Sequence, residues 1–171
     1  METLEKYLTL ATHTTAVSFA KEEPGPFLLK RPTKQSEPTS TSQQIGFVTV
    51  LANVDVDPFA SQWRLVVVRK RPGNPYEDRI SIGRASNCDL VLRVPFISKI
   101  QAHILVETSG NYSIRGQNSP NPTLVNNRPV GVNDSYPLRV GDEISFGSMK
   151  FEFIDAPRLY KVLISEARRT T

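Results

Sequence analysis

Between Trp63 and Ile154 the sequence breaks into short runs of β-forming residues with turn signals every ten or so positions. Trp63 to Arg69 is β-branched and ends in the turn cluster Arg71 to Pro75. Arg79 to Gly83 alternates with period two, and Asp89 to Leu92, Ala102 to Glu107 and Tyr112 to Arg115 are further short strands. Thr123 to Val125 and Arg128 to Val130 flank Asn126-Asn127, a pair that tolerates the left-handed backbone of a hairpin turn. Glu143 to Phe146 and Lys150 to Ile154 follow, joined by Gly147-Ser148. Many short strands without intervening long helices fold as an all-β sandwich or barrel. About 95 residues is one such domain.

The flanks differ. Leu4, Leu8 and Ala11 have helical spacing, so a short amphipathic helix is expected over Met1 to Ala11. Pro32 to Gln44 is polar and rich in Ser and Thr; it reads as a disordered or partly ordered linker that buries too little surface to offset its ordering entropy. Ile45 to Val54 is β-prone. After the sandwich, Leu159, Val162, Leu163 and Ala167 share one helical face, and Arg168-Arg169 complement the helix dipole. The expected organisation is an N-terminal extension over 1–61, a β domain over 62–155 and a C-terminal helix over 156–171.

Composition narrows the function. No apolar run approaches the ~20 residues of a spanning helix, and the first residues lack the basic and apolar segments of a secretory signal. A single cysteine, Cys88, excludes an internal disulfide framework and fits a reducing, cytoplasmic location. Two histidines and one cysteine offer no metal-ligand cluster, so no metal or other cofactor is expected. The net charge of +4 is spread thinly: 1–61 hold five basic and seven acidic side chains, 62–155 twelve and nine, 156–171 four and one. No element carries the clustered Lys and Arg of a nucleic-acid footprint. Ser98, His103 and Asp142 come without a nucleophile elbow or oxyanion-hole motif, so no enzyme is expected. His103 reads as a strand-surface residue and Cys88 as structural.

Four patterns occur in order: Ile82-Gly83-Arg84; Ser98-Lys99-Ile100-Gln101; Asn121-Pro122-Thr123 followed by Asn126-Asn127; and Gly141-Asp142. Each alone is a common turn. Together, in this order and spacing, they resemble the forkhead-associated (FHA) domain family over about residues 63–155. The family pattern is Gly-Arg, Ser-Arg-x-His, Asn-Gly-Thr with a second Asn-Gly, and Gly-Asp. Gly83-Arg84, Ser98, Asn121, Thr123 and Gly141-Asp142 match it. Lys99 replaces the usual arginine, Gln101 the histidine, Pro122 the glycine after Asn121, and Asn127 the second glycine.

The resemblance implies a β-sandwich of two mainly antiparallel sheets that binds phosphothreonine peptides through loops at one end and catalyses nothing. It implies phosphopeptide contacts from Arg84, Ser98, Lys99, Asn121 and Thr123, with Gly83 and Gln101 bracing the loops. The chemistry suits that task. A phosphothreonine carries about −1.5 to −2 charge and three acceptor oxygens; a guanidinium fork such as Arg84 meets two of them at once. Ser98 adds a hydroxyl donor, Lys99 a point charge, and Asn121 both donates and accepts. The departures at Lys99, Gln101 and Pro122 favour a second reading, a phosphate-independent interaction module on the same scaffold. The family implies a serine/threonine kinase or its substrate as partner. Thr39 and Thr41 in the polar stretch, or Thr12, Thr14 and Thr15 before it, would when phosphorylated give the domain a ligand in its own chain or a second copy; the plainer reading is ordinary linker composition.

Overall fold

A computed structural model describes residues 4–33 and 57–170. Two helices open the chain, α1 (Leu4–His13) and α2 (Ala16–Glu22), then β1 (Phe27–Lys30) and β2 (Arg64–Val67). The strands β3 (Arg79–Gly83), β4 (Leu90–Val91), β5 (Ala102–Val106), β6 (Tyr112–Gly116), β7 (Thr123–Val125), β8 (Arg128–Pro129), β9 (Tyr136–Leu138), β10 (Glu143–Phe146) and β11 (Met149–Ile154) follow, and α3 (Ala156–Thr170) closes the chain. One sheet has the order β2-β1-β11-β10-β7-β8 and the other β4-β3-β5-β6-β9. Every pairing is antiparallel except β3 with β4. The expected sandwich of two mainly antiparallel sheets is therefore present.

Alternation along the strands builds the core. Ile80, Ile82, Ile104 and Ile114 of one sheet meet Val125, Ile144, Phe146, Phe151 and Phe153 of the other. Each such side chain, fully buried, contributes about 1.5–3 kcal/mol. The Asn126-Asn127 turn has φ of 49° and 64°, the left-handed pair its sequence predicts.

β1 changes the expected organisation. It lies between β2 and β11, with Phe27 opposite Ile154 and Val67, and Leu29 opposite Glu152 and Leu65. Residues assigned to an extension thus complete the sheet, and the boundary at residue 61 cuts through hydrogen-bonded structure. All four β1 residues are buried because the strand is covered on both faces. Leu28 joins the sandwich core, while Phe27 and Leu29 join Tyr7, Phe19, Leu159 and Leu163 beneath the three helices. α1 is the helix expected at the start, and α3 the one expected at the end. α2 begins at Thr15, whose hydroxyl accepts from the Ser18 N–H at 3.3 Å as an N-cap. The Tyr160 hydroxyl donates to the Thr14 carbonyl at 3.1 Å, tying α3 to the α1–α2 turn.

The connection between β1 and β2 is clamped where it is described. Lys30, 2% exposed, donates to the Phe59 and Ala60 carbonyls at 2.7 and 3.2 Å and pairs with Asp57 at 3.1 Å. The Thr33 N–H also donates to the Ala60 carbonyl, at 2.8 Å. Thr39, Thr41, most of the polar stretch and Ile45 to Val54 lie outside the described residues. No helix among the described residues is long and apolar enough to cross a membrane.

Candidate functional site

The loops after β3, before β5 and before β7 meet at one end of the sandwich. Gly83 ends β3 against the loop that carries Lys99: a β-carbon on Gly83 would sit 2.2 Å from the Lys99 carbonyl oxygen. Only glycine permits that approach. Two backbone bonds follow, Arg84 N–H to the Ser98 carbonyl at 3.0 Å and Ala85 N–H to the Lys99 carbonyl at 3.2 Å. The buried Cys88 thiol donates to the same Lys99 carbonyl at 3.2 Å, and burial pushes the thiol's pKa up. Its role is structural, as the sequence suggests.

Gln101 joins all three loops. It is wholly buried. Its Oε1 accepts from the Ser98 N–H and the Ser119 hydroxyl, both at 3.0 Å. Its Nε2 donates to the Asn121 carbonyl at 2.7 Å and to Thr123 Oγ1 at 3.3 Å. Its own backbone N–H donates to the Ile82 carbonyl at 2.7 Å. The side chain expected to brace a loop in place of histidine makes four hydrogen bonds across two loops.

Above this brace lies a shallow groove of about 350 Å³ lined by Arg84, Pro95, Phe96, Ile97, Ser98, Pro120 and Asn121. Arg84 and Lys99 are exposed, and neither side chain has a partner among the described residues. Ser98 is half-buried, with its Oγ 2.7 Å from Ser119 Oγ. Asn121 Nδ2 donates to the Phe96 carbonyl at 3.0 Å and holds two walls of the groove together. Arg84, Ser98 and Asn121 are thus brought to one groove, and Lys99, exposed, follows Ser98 in the chain without lining it.

Thr123 is elsewhere. It is wholly buried, and its hydroxyl donates to the Gln101 carbonyl at 3.3 Å while accepting from Gln101 Nε2. It was grouped with the peptide contacts, but β7 points it inward, so it belongs with Gln101 in the brace. Phe96 and Ser119 line or support the groove without having been anticipated. Phe96 follows Pro95 and Ser119 precedes Pro120, common turn composition that gave no signal. Asp142 is also structural: its carboxylate accepts from Asn126 Nδ2 at 2.9 Å and the Arg139 N–H at 2.7 Å, fixing the turn after β7.

A larger cavity, about 700 Å³, lies over the outer face of β3 and β5 under residues 71–76. Its floor is the Asp89 carboxylate, which accepts from the Arg71 N–H (2.9 Å), Asn74 Nδ2 (2.6 Å), and the Ser81 N–H and hydroxyl (2.7 Å each). Burial pulls this carboxyl upward, but the hydrogen bonds outweigh it and hold the pKa below the ordinary value. His103, half-buried on the same face, has its pKa lowered by burial and then by Arg79 and Arg115.

Residues 80–147 match the family model described as FHA domain. This segment is an FHA domain. The matched span holds the whole groove and brace, whereas β1, β2, β11 and the helices lie outside it. No curated protein matches the sequence. Among solved structures, the chain is similar to the FHA domain of a Chlamydia trachomatis protein, at 18% identity over 76% of this chain and 97% of that one, TM-score 0.48. It is similar to the N-terminal FHA domain from S. cerevisiae RAD53P in complex with a phosphothreonine peptide, at 20% identity over 58% and 90%, TM-score 0.47. It is also similar to Mycobacterium tuberculosis EmbR in complex with a low-affinity phosphopeptide, at 28% identity over 45% of this chain, TM-score 0.41, and there the chain spans 20% of the other's length.

Proposed function

We propose that the FHA domain of this chain is a non-catalytic module that captures a phosphothreonine-bearing segment of a partner protein. The observation that carries the reading is the meeting of Arg84, exposed and without a hydrogen-bond or ion-pair partner among the described residues, with the Ser98 hydroxyl and the Asn121 amide at one braced groove, next to the exposed Lys99. Arg84 supplies the bidentate contact to two phosphate oxygens and Lys99 a flanking charge. Ser98 donates a hydrogen bond to the third oxygen. Asn121, already spanning the groove, orients the peptide backbone beside the phosphate. The apolar wall of Pro95, Phe96 and Ile97 offers the threonine methyl a dry surface.

The RAD53P domain, whose complex is with a phosphothreonine peptide, supports the ligand class. The partner we propose is a serine/threonine kinase or a protein it phosphorylates. Thr12, Thr14 and Thr15 are poor internal ligands in their folded positions, since the Thr12 and Thr14 hydroxyls donate to carbonyls of α1 and Thr15 caps α2.

Titration with a degenerate peptide library fixed at phosphothreonine, phosphoserine or threonine tests the reading. We expect saturable binding to the phosphothreonine set, lost in Arg84→Ala. Equal binding to the unphosphorylated set would replace it with the phosphate-independent module.

A further inference from the structure

Ser119 carries none of the contacts that the resemblance implies, yet its hydroxyl touches the one hydroxyl of the groove that the proposed function uses. Ser119 Oγ lies 2.7 Å from Ser98 Oγ and 3.0 Å from Gln101 Oε1. The direction of these bonds follows from the neighbours. The Gln101 amide is oriented by the Ser98 N–H on one side and the Asn121 carbonyl on the other, so its oxygen faces the two serines. An amide oxygen only accepts. Ser119 therefore gives its single hydrogen to Gln101, and the contact between the hydroxyls takes its hydrogen from Ser98. In the empty groove Ser98 has no hydrogen left for a phosphate oxygen.

We propose that Ser119 is a positioning residue that engages the hydrogen of the Ser98 hydroxyl, so that phosphate capture must reverse the Ser98–Ser119 bond. The inference rests on the phosphate reading of the groove. The exchange moves hydrogens by rotation alone, with no proton transferred. Ser98 turns its hydrogen to a phosphate oxygen; Ser119 turns its own from Gln101 to Ser98; Gln101 keeps the Ser98 N–H. A charge-assisted bond replaces a neutral one, so the exchange runs forward with phosphate. Its cost is one neutral hydrogen bond, given up at Gln101, and that cost lowers affinity. Gln101 is essential to the arrangement, because its amide oxygen accepts from both the Ser98 N–H and the Ser119 hydroxyl, and a donor at this point would leave the Ser98 N–H without an acceptor.

The test uses the full chain and the tightest phosphothreonine peptide selected from a degenerate library, titrated by fluorescence anisotropy. Ser119→Ala removes the competing acceptor, so binding should tighten roughly two- to tenfold, the equivalent of one neutral hydrogen bond. Ser119→Thr keeps the hydroxyl and should bind like the parent. Adding Ser119→Ala to a Ser98→Ala background should change nothing, because the hydroxyl it restrains is gone; a merely structural effect of Ser119 would persist there. Unchanged or weaker binding by Ser119→Ala, or the same gain in the Ser98→Ala background, would overturn the proposal while leaving the phosphate reading intact. Failure of the parent chain to bind any phosphothreonine peptide would overturn both.

Discussion

The backbone at Lys99 passes so close to Gly83 that a β-carbon on Gly83 would lie 2.2 Å from the Lys99 carbonyl oxygen. The obstacle is backbone, which no side-chain rotation relieves. Gly83→Ala should therefore displace the loop carrying Ser98 and Lys99, cost about 1–3 kcal/mol in urea denaturation, and weaken phosphopeptide binding in parallel. Parental affinity together with parental stability would show that the two loops are not coupled.

Arg84→Ala should remove phosphopeptide binding, by about 2–5 kcal/mol, without lowering the melting temperature, since its exposed side chain makes no hydrogen bond or ion pair among the described residues. Lys99→Arg restores a fork beside the phosphate and should tighten binding or leave it unchanged. A marked loss of affinity in a folded Lys99→Arg protein would mean that the groove is shaped for a different ligand.

Gln101→Ala strips partners from the Ser98 N–H and the Asn121 carbonyl at once. Each buried polar group left unsatisfied costs about 1–3 kcal/mol, so we expect the largest loss of stability among the brace variants. Hydrogen exchange should show the loops around Ser98 and Asn121 opening together. Independent exchange rates in the two loops would argue against a shared brace.

Asp89 makes stability depend on acid. Its folded carboxyl titrates below the unfolded value of ~3.9, so its contribution is complete above that value and is lost as pH falls through it toward the folded pKa. Asp89→Asn should flatten the pH dependence of unfolding below about pH 4. It should also lower stability at neutral pH, because an amide cannot accept from all four donors that converge there. A parallel pH profile for parent and variant would refute this assignment.

Lys30→Met leaves Asp57 buried without its cation and should cost about 3–5 kcal/mol. Replacing both, with Asp57→Leu, should recover most of that loss. Equal instability of the single and double variants would show that the carbonyl contacts of Lys30, and not its charge pair, hold this corner.

The sandwich was legible in the sequence where strands have one wet face. Arg79 to Gly83 and Ala102 to Val106 alternate, and turn residues bound them. The same logic hid β1. Phe27, Leu28 and Leu29 are covered on both sides, so nothing alternates, and Lys30 ends the run with a charge that only a buried partner explains. β9 was hidden by Pro137 at an edge where no ladder bond is missed, and α2 by its seven residues. At the site, Gly83, Arg84, Ser98, Gln101 and Asn121 were singled out through the resemblance to the family pattern, and of these Gly83 is the one whose type the close backbone at Lys99 demands. Thr123 was misplaced because a motif does not say which side of a strand a hydroxyl takes. Ser119 was missed because its partners arrive from distant loops.

β1 also makes the FHA fold of this chain a closed circuit. The first strand is hydrogen-bonded to β11, the last, so the six-stranded sheet stays incomplete until β11 has been made. A protein beginning at residue 62 would present the β11 edge from Glu152 to Ile154 bare, beside the apolar faces of Leu159 and Leu163. Such an edge recruits other strands. In the folded chain β1 covers that edge.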